Sequence, residues 1–133
     1  MISLFFSFYL PTDFAPNIIL KSFKESGTVK EKDRLLMRCR ARGFPLSNFT
    51  WIHNGAEMSV CLITSSQGCM GKSYKVLQET NEEWLTSTSQ LIIESTSFPR
   101  DNGTYTCVAR NSKGYDEKNM EVSIESMCYK NHK

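Results

Sequence analysis

The stretch "DNGTYTCVARN", Asp101 to Asn111, decides the fold. Asp101 and Gly103 make a tight turn, where glycine accepts a positive φ that other residues resist. From Thr104 onward the side chains alternate. Tyr105, Cys107 and Ala109 fall on one side, and Thr104, Thr106, Val108 and Arg110 on the other. That period of two belongs to a half-buried strand. A tyrosine two residues ahead of an inward cysteine asks for a partner cysteine on another strand.

Upstream, "LLMRCRARG" sets Leu35, Met37, Cys39 and Ala41 against Leu36, Arg38, Arg40 and Arg42. "GFPLSN" is a turn region. "FTWIH" places Phe49 and Trp51 on one face and Thr50 and Ile52 on the other, and Asn54-Gly55 is a hairpin signal that leaves His53 in solvent. "WLTSTSQLIIES" sets Leu85, Ser87, Ser89, Leu91 and Ile93 against Thr86, Thr88, Gln90 and Ile92. Phe98 takes the apolar slot before the Asp101 turn. "MEVSI" closes the pattern with Met120, Val122 and Ile124 inward. Short alternating strands with turns between them, and no convincing helix, predict an all-β antiparallel sandwich. Cys39 has the inward parity of Cys107, so a bridge between them ties the two sheets. Closing so long a loop contributes roughly 4 kcal/mol through the unfolded state. Trp51 is placed to pack on it. Tyr105 holds the tyrosine-corner position, where the hydroxyl bonds to upstream backbone.

The 133 residues suffice for one domain, with ordinary apolar (40%) and charged (23%) content. A net charge of +2 does not point to nucleic acid. No apolar run reaches the ~18 residues of a membrane-spanning helix. Five cysteines in so short a chain favour an oxidising compartment. The sequons Asn48-Phe49-Thr50 and Asn102-Gly103-Thr104 agree, and predict exposed asparagines. Ile2 to Leu10 has the length of a signal-peptide apolar region, without a basic start or a good cleavage site. Residues 1–15 therefore read as a leader, either a signal peptide or the ragged edge of a fragment. Residues 16–125 read as the domain, and 126–133 as a disordered tail.

Together these motifs resemble the immunoglobulin superfamily, most closely its I-set or C2-type modules. The residues that carry the resemblance are Cys39-x-Ala41-x-Gly43-x-Pro45, Trp51, Leu91-x-Ile93, Asp101-x-Gly103-x-Tyr105-x-Cys107-x-Ala109-x-Asn111 and Gly114. It implies a Greek-key sandwich with an inter-sheet disulfide, and a role in cell-surface adhesion, receptor ectodomains or ligand capture. It implies no catalytic residues. The separation of Cys39 and Cys107 is closer to the variable type, because "CLITSSQGCMGKSYKVLQETNEEW" lengthens the segment between Trp51 and Leu91.

Cys61 and Cys69 flank a short turn-rich segment, and a local bridge there contributes about 2.5 kcal/mol. Pairing of either with Cys128, or free thiols, are the alternatives. Cys128 and His132 with Cys61 and Cys69 make a poor zinc set, with loose spacing. The two histidines enter no Ser-His-Asp or HExxH arrangement, and no phosphate-binding loop or paired carboxylates appear. The expectation is neither an enzyme nor a cofactor protein. Arg38, Arg40 and Arg42 form an outward basic stripe. Its anion-binding reading, as for a sulfated glycan, stands second to cross-strand pairing with Glu94. Ile52 and Val108, apolar on the outward parity, are expected to seed a partner-binding patch with Thr106 and Arg110. The functional expectation is an extracellular binding or adhesion module, secreted or part of an ectodomain. It recognises another extracellular or membrane protein, homophilically or heterophilically, or serves as a spacer. The alternative is an intracellular structural module of the giant muscle-protein type.

Overall fold

The computed structural model describes residues 12–22, 28–64 and 68–127. Readings placed on the first eleven residues, on Cys128 and on His132 lie outside that range. The described residues form β1 (Phe14–Ser22), β2 (Thr28–Lys30), β3 (Leu35–Phe44), β4 (Asn48–His53), β5 (Ala56–Glu57), β6 (Cys61–Leu62), β7 (Tyr74–Asn81), β8 (Thr86–Ile93), β9 (Gly103–Asn111) and β10 (Gly114–Glu125). They build two sheets, β1-β3-β8-β7-β6 and β2-β10-β9-β4-β5. Pairing is antiparallel except between β2 and β10 and between β6 and β7. The architecture is an immunoglobulin-like β-sandwich.

The alternation read from sequence sets the two inner faces. On β3, Leu35, Met37, Cys39 and Ala41 are all buried, and on β8 so are Ser87, Ser89, Leu91 and Ile93. From the other sheet Trp51, Tyr105, Cys107, Ala109, Met120, Val122 and Ile124 complete the core. Each large apolar side chain so buried stabilises the fold by about 1.5–3 kcal/mol. The Cys39–Cys107 disulfide crosses between the sheets, and Trp51 lies opposite Cys107 in register. Ser89 is an inward hydroxyl with a purpose. Its Oγ accepts the Trp51 indole N–H at 2.9 Å, so neither buried polar group is stranded.

Two expectations need correction. Phe98 does not fill the slot before the turn: it is 44% exposed, and Thr96, at 1%, lies inside instead. The Thr96 hydroxyl donates to the carbonyls of Asp33 (2.9 Å) and Lys30 (3.2 Å), which makes a polar residue acceptable there. His53 is not a solvated turn residue. Its ring stacks on Tyr105 with centroids 4.3 Å apart, and Nε2 lies 2.8 Å from the Asn102 carbonyl.

Candidate functional site

The turn leading into β9 is a packed polar knot. The Asp101 side chain is fully buried. Its Oδ1 accepts from the Tyr74 hydroxyl at 2.6 Å and from Arg100 Nε at 3.0 Å. Its Oδ2 accepts from Arg100 Nη2 at 2.8 Å and from the Ser97 N–H at 2.8 Å. The Tyr105 hydroxyl, also buried, donates to the Asp101 carbonyl at 2.6 Å, which is the tyrosine-corner bond. Burial and the Asp101 carboxylate push Tyr74 up to about 12, and burial raises Tyr105 as well. The Asp101 carboxylate and both tyrosine hydroxyls are bonded internally, so the knot is structural.

Gly103 is required by the same turn. It holds φ +127, and a Cβ there would overlap the Asn54 amide. That amide is not free to move, because Oδ1 accepts from Thr104 N–H (2.9 Å) and Nδ2 donates to the Asn102 carbonyl (3.2 Å). Gly103→Ala is expected to lower stability by about 1–3 kcal/mol in urea unfolding. An unchanged midpoint would show that Asn54 yields at no cost.

The sequons lie on the second sheet's side. Asn48 is exposed at the start of β4, opposite Arg110. Asn102 is half-buried, with its Oδ1 accepting from the Ile124 N–H at 2.8 Å. The second disulfide joins Cys61 to Cys69 and staples β6 to the loop before β7.

The expected apolar patch on the second sheet's outer face is not there as drawn. Val108 is only 7% exposed. It sits on the central strand between Thr50 and Glu117, whose side chains flank it. Ile52 is half-buried beside Thr106 and Glu57. Two hydroxyls of this face are engaged: Thr104 donates to Glu121 and Thr106 to Asn119, each at 2.7 Å. What stands out from the face is a residue the sequence reading passed over. Tyr115 is 59% exposed, and the Arg110 guanidinium lies over its ring, 5.5 Å from the centroid. β10 begins at Gly114, not near Met120, and so carries Tyr115 into register with Arg110. The alternation of Tyr115, Glu117, Asn119 and Glu121 was the available signal.

On the first sheet the arginine stripe is outward, as read. Its expected carboxylate partner is taken, however. Glu94 bonds Arg34 at 3.2 Å and Lys75 at 3.3 Å. Arg38 reaches Gln90 at 3.3 Å, Arg40 Nε donates to Thr88 Oγ1 at 3.0 Å, and Arg42 has no hydrogen-bond or ion-pair partner among the described residues. No helix among those residues is long and apolar enough to cross a membrane.

Comparisons with known proteins agree with this geometry. A family model described as "Immunoglobulin domain" matches residues 15–111. The chain is 29% identical over 100 residues to hemicentin-1 of Mus musculus, a match covering 75% of this chain and 1% of that protein. It is 30% identical over 112 residues to titin of Drosophila melanogaster, covering 83% of this chain and a negligible share of titin (0%). The crystal structure of the N-terminal eight Ig domains of Down Syndrome Cell Adhesion Molecule superposes with a TM-score of 0.66 at 22% identity, over 84% of this chain and 13% of that one. The chain thus spans a small fraction of these relatives.

Proposed function

The chain belongs to the immunoglobulin superfamily, and from that membership we propose that it is an extracellular binding or adhesion module, secreted or part of an ectodomain. It recognises another protein through the outer face of β4, β9 and β10. The observation that carries the recognition site is the exposed Tyr115 with Arg110 stacked on it, beside the bonded pairs Thr104–Glu121 and Thr106–Asn119. Tyrosine and arginine are the residue types that dominate interface energies, and a pre-positioned pair loses little entropy on binding. The partner is a second copy or a different chain, and a homophilic contact across this face is the simplest test. The Cys39–Cys107 and Cys61–Cys69 disulfides support the oxidising compartment.

Setting and site are tested separately. Expressed through a secretory pathway, the chain is expected to run faster on a non-reducing gel than on a reducing one, and to lose mass with glycosidase. Alkylatable Cys39 and Cys107 with unused sequons would move it to the intracellular structural alternative. Beads carrying the chain are expected to aggregate, or to capture cells, with the Tyr115→Ala variant weakened about tenfold or more. If Tyr115→Ala and Ile52→Lys both leave capture intact, this face is not the site.

A further inference from the structure

We propose a second binding site, on the opposite sheet, for a linear acidic saccharide whose rings carry carboxylate or sulfate groups. The inference is independent of the protein-binding face above. The outer face of β3, β8 and β7 is laid out in rows by the register. One row is Arg40, Thr88, Glu79, and the next is Arg42, Thr86, Asn81. These rows line a groove of about 530 Å³, and Trp84 stands at its side.

Three features favour a saccharide. First, the positive charge is unmet. Arg40 spends only Nε on Thr88 and Arg42 has no hydrogen-bond or ion-pair partner among the described residues, so two guanidiniums outweigh Glu79, the one carboxylate lining the groove. Arg38, Arg40 and Arg42 alternate along one strand, which spaces them about 6.8 Å apart in a line. A guanidinium row of that kind suits a linear chain of carboxylates or sulfates, each of which accepts paired N–H bonds. Second, Trp84 is 62% exposed, although tryptophan normally hides most of its surface. It is held there by the β7–β8 turn, in which the Trp84 N–H donates to Asn81 Oδ1 at 3.1 Å and Leu85 takes φ 56. A flat indole beside polar groups offers an apolar plate for the C–H face of a sugar ring. Third, Thr86, Thr88, Asn81 and Glu79 supply the donors and acceptors that ring hydroxyls need. An acidic peptide would satisfy the arginines but has less use for the plate and the hydroxyl partners together. Both sequons lie on the other sheet's side, so glycans there would leave this face open.

The test titrates the full chain with a sulfated, uronate-containing hexasaccharide, its desulfated counterpart and a polyglutamate peptide, at two salt concentrations. Titration calorimetry gives the affinity of every variant, and tryptophan fluorescence of the native chain reports where the ligand sits. The chain has two tryptophans, and Trp51 is 2% exposed, so a ligand-induced change reports Trp84. The sulfated hexasaccharide is expected to change the fluorescence and to bind more weakly at high salt. Arg40→Glu with Arg42→Glu, and separately Trp84→Ala, are expected to weaken it by about tenfold or more at an unchanged unfolding midpoint. Tyr115→Ala is expected to leave this binding unchanged, which separates the two surfaces. Tighter binding of polyglutamate, or binding indifferent to Trp84→Ala, would reduce the face to a peptide site or to unspecific attraction and overturn the proposal. So would absence of saccharide binding at low salt.

Discussion

Replacing Cys39 and Cys107 together by alanine is expected to cost roughly 4 kcal/mol and to leave the chain largely unfolded at physiological temperature. The two cysteines are 68 positions apart, so the bridge restrains most of the domain in its unfolded state. Both are 0% exposed, and the lost sulfurs leave a gap between the sheets beneath Trp51 that adds a packing cost. Against a typical total of about 5–15 kcal/mol, such a loss is decisive. The Cys61→Ala, Cys69→Ala variant is the control. Its bridge spans only 8 positions and lies at the sheet's edge, so about 2.5 kcal/mol by the same entropy argument is the upper expectation, and the fold is retained. Urea midpoints of both variants decide the matter. A wild-type midpoint in the Cys39, Cys107 variant would mean that side-chain packing alone holds the sheets together.

The inner faces were legible because the inward positions alternate along each strand, and the breaks on β8 and β9, Ile92 and Val108, are outward residues that are also buried. The parity assigned to β3, β8 and β9 places the same residues inside in the structure. The strands that escaped notice lack that signal. β1 contains Pro16 and shifts register twice against β3, which an edge strand tolerates but a period-two pattern cannot display. β7 buries only Val76 fully, and β5 and β6 are two residues each.

The surface was less legible, because parity says which way a side chain points but not what covers it. Val108 points outward and is still buried, since a central strand's outer side chains are walled by both neighbours. Trp84 shows the converse. Its fate depends on the turn geometry of residues 82–85, and no alternation rule reaches a turn. Which carboxylate pairs with which arginine likewise depends on register. Leu36, not Arg38, lies opposite Ile92 next to Glu94, and this offset sends Glu94 to Arg34 and Lys75.

Asp101→Ala is expected to cost about 3 kcal/mol or more, although the change touches neither proposed binding face. Four donor contacts converge on this carboxylate, and removing it strands the half-buried Tyr74 hydroxyl and the Ser97 N–H. Arg100, about half exposed, can return to water, which limits the loss on its side. Burial by itself would raise the Asp101 pKa, but the Arg100, Tyr74 and Ser97 hydrogen bonds outweigh it and hold the carboxyl below its ordinary value. The sign of the pH dependence follows. A group whose folded pKa is depressed contributes stability that is fully present above its unfolded value, about 3.9, and is lost as pH falls through the lower folded value. The native chain should therefore lose stability more steeply below about pH 4 than Asp101→Asn, which has no proton to take up. At the alkaline end Tyr74 acts in the opposite direction. Its folded pKa of about 12 exceeds the unfolded value of about 10, so the stability tied to its protonated hydroxyl is complete below pH 10 and drains away as pH rises toward 12. Removing the Asp101 charge takes away one cause of that upward shift, so Asp101→Asn should flatten the alkaline limb as well as the acid one. Urea midpoints of the native chain, Asp101→Asn and Tyr74→Phe across both limbs measure this. Parallel acid limbs for the native chain and Asp101→Asn would show that the buried carboxylate is not the charged hub of the turn.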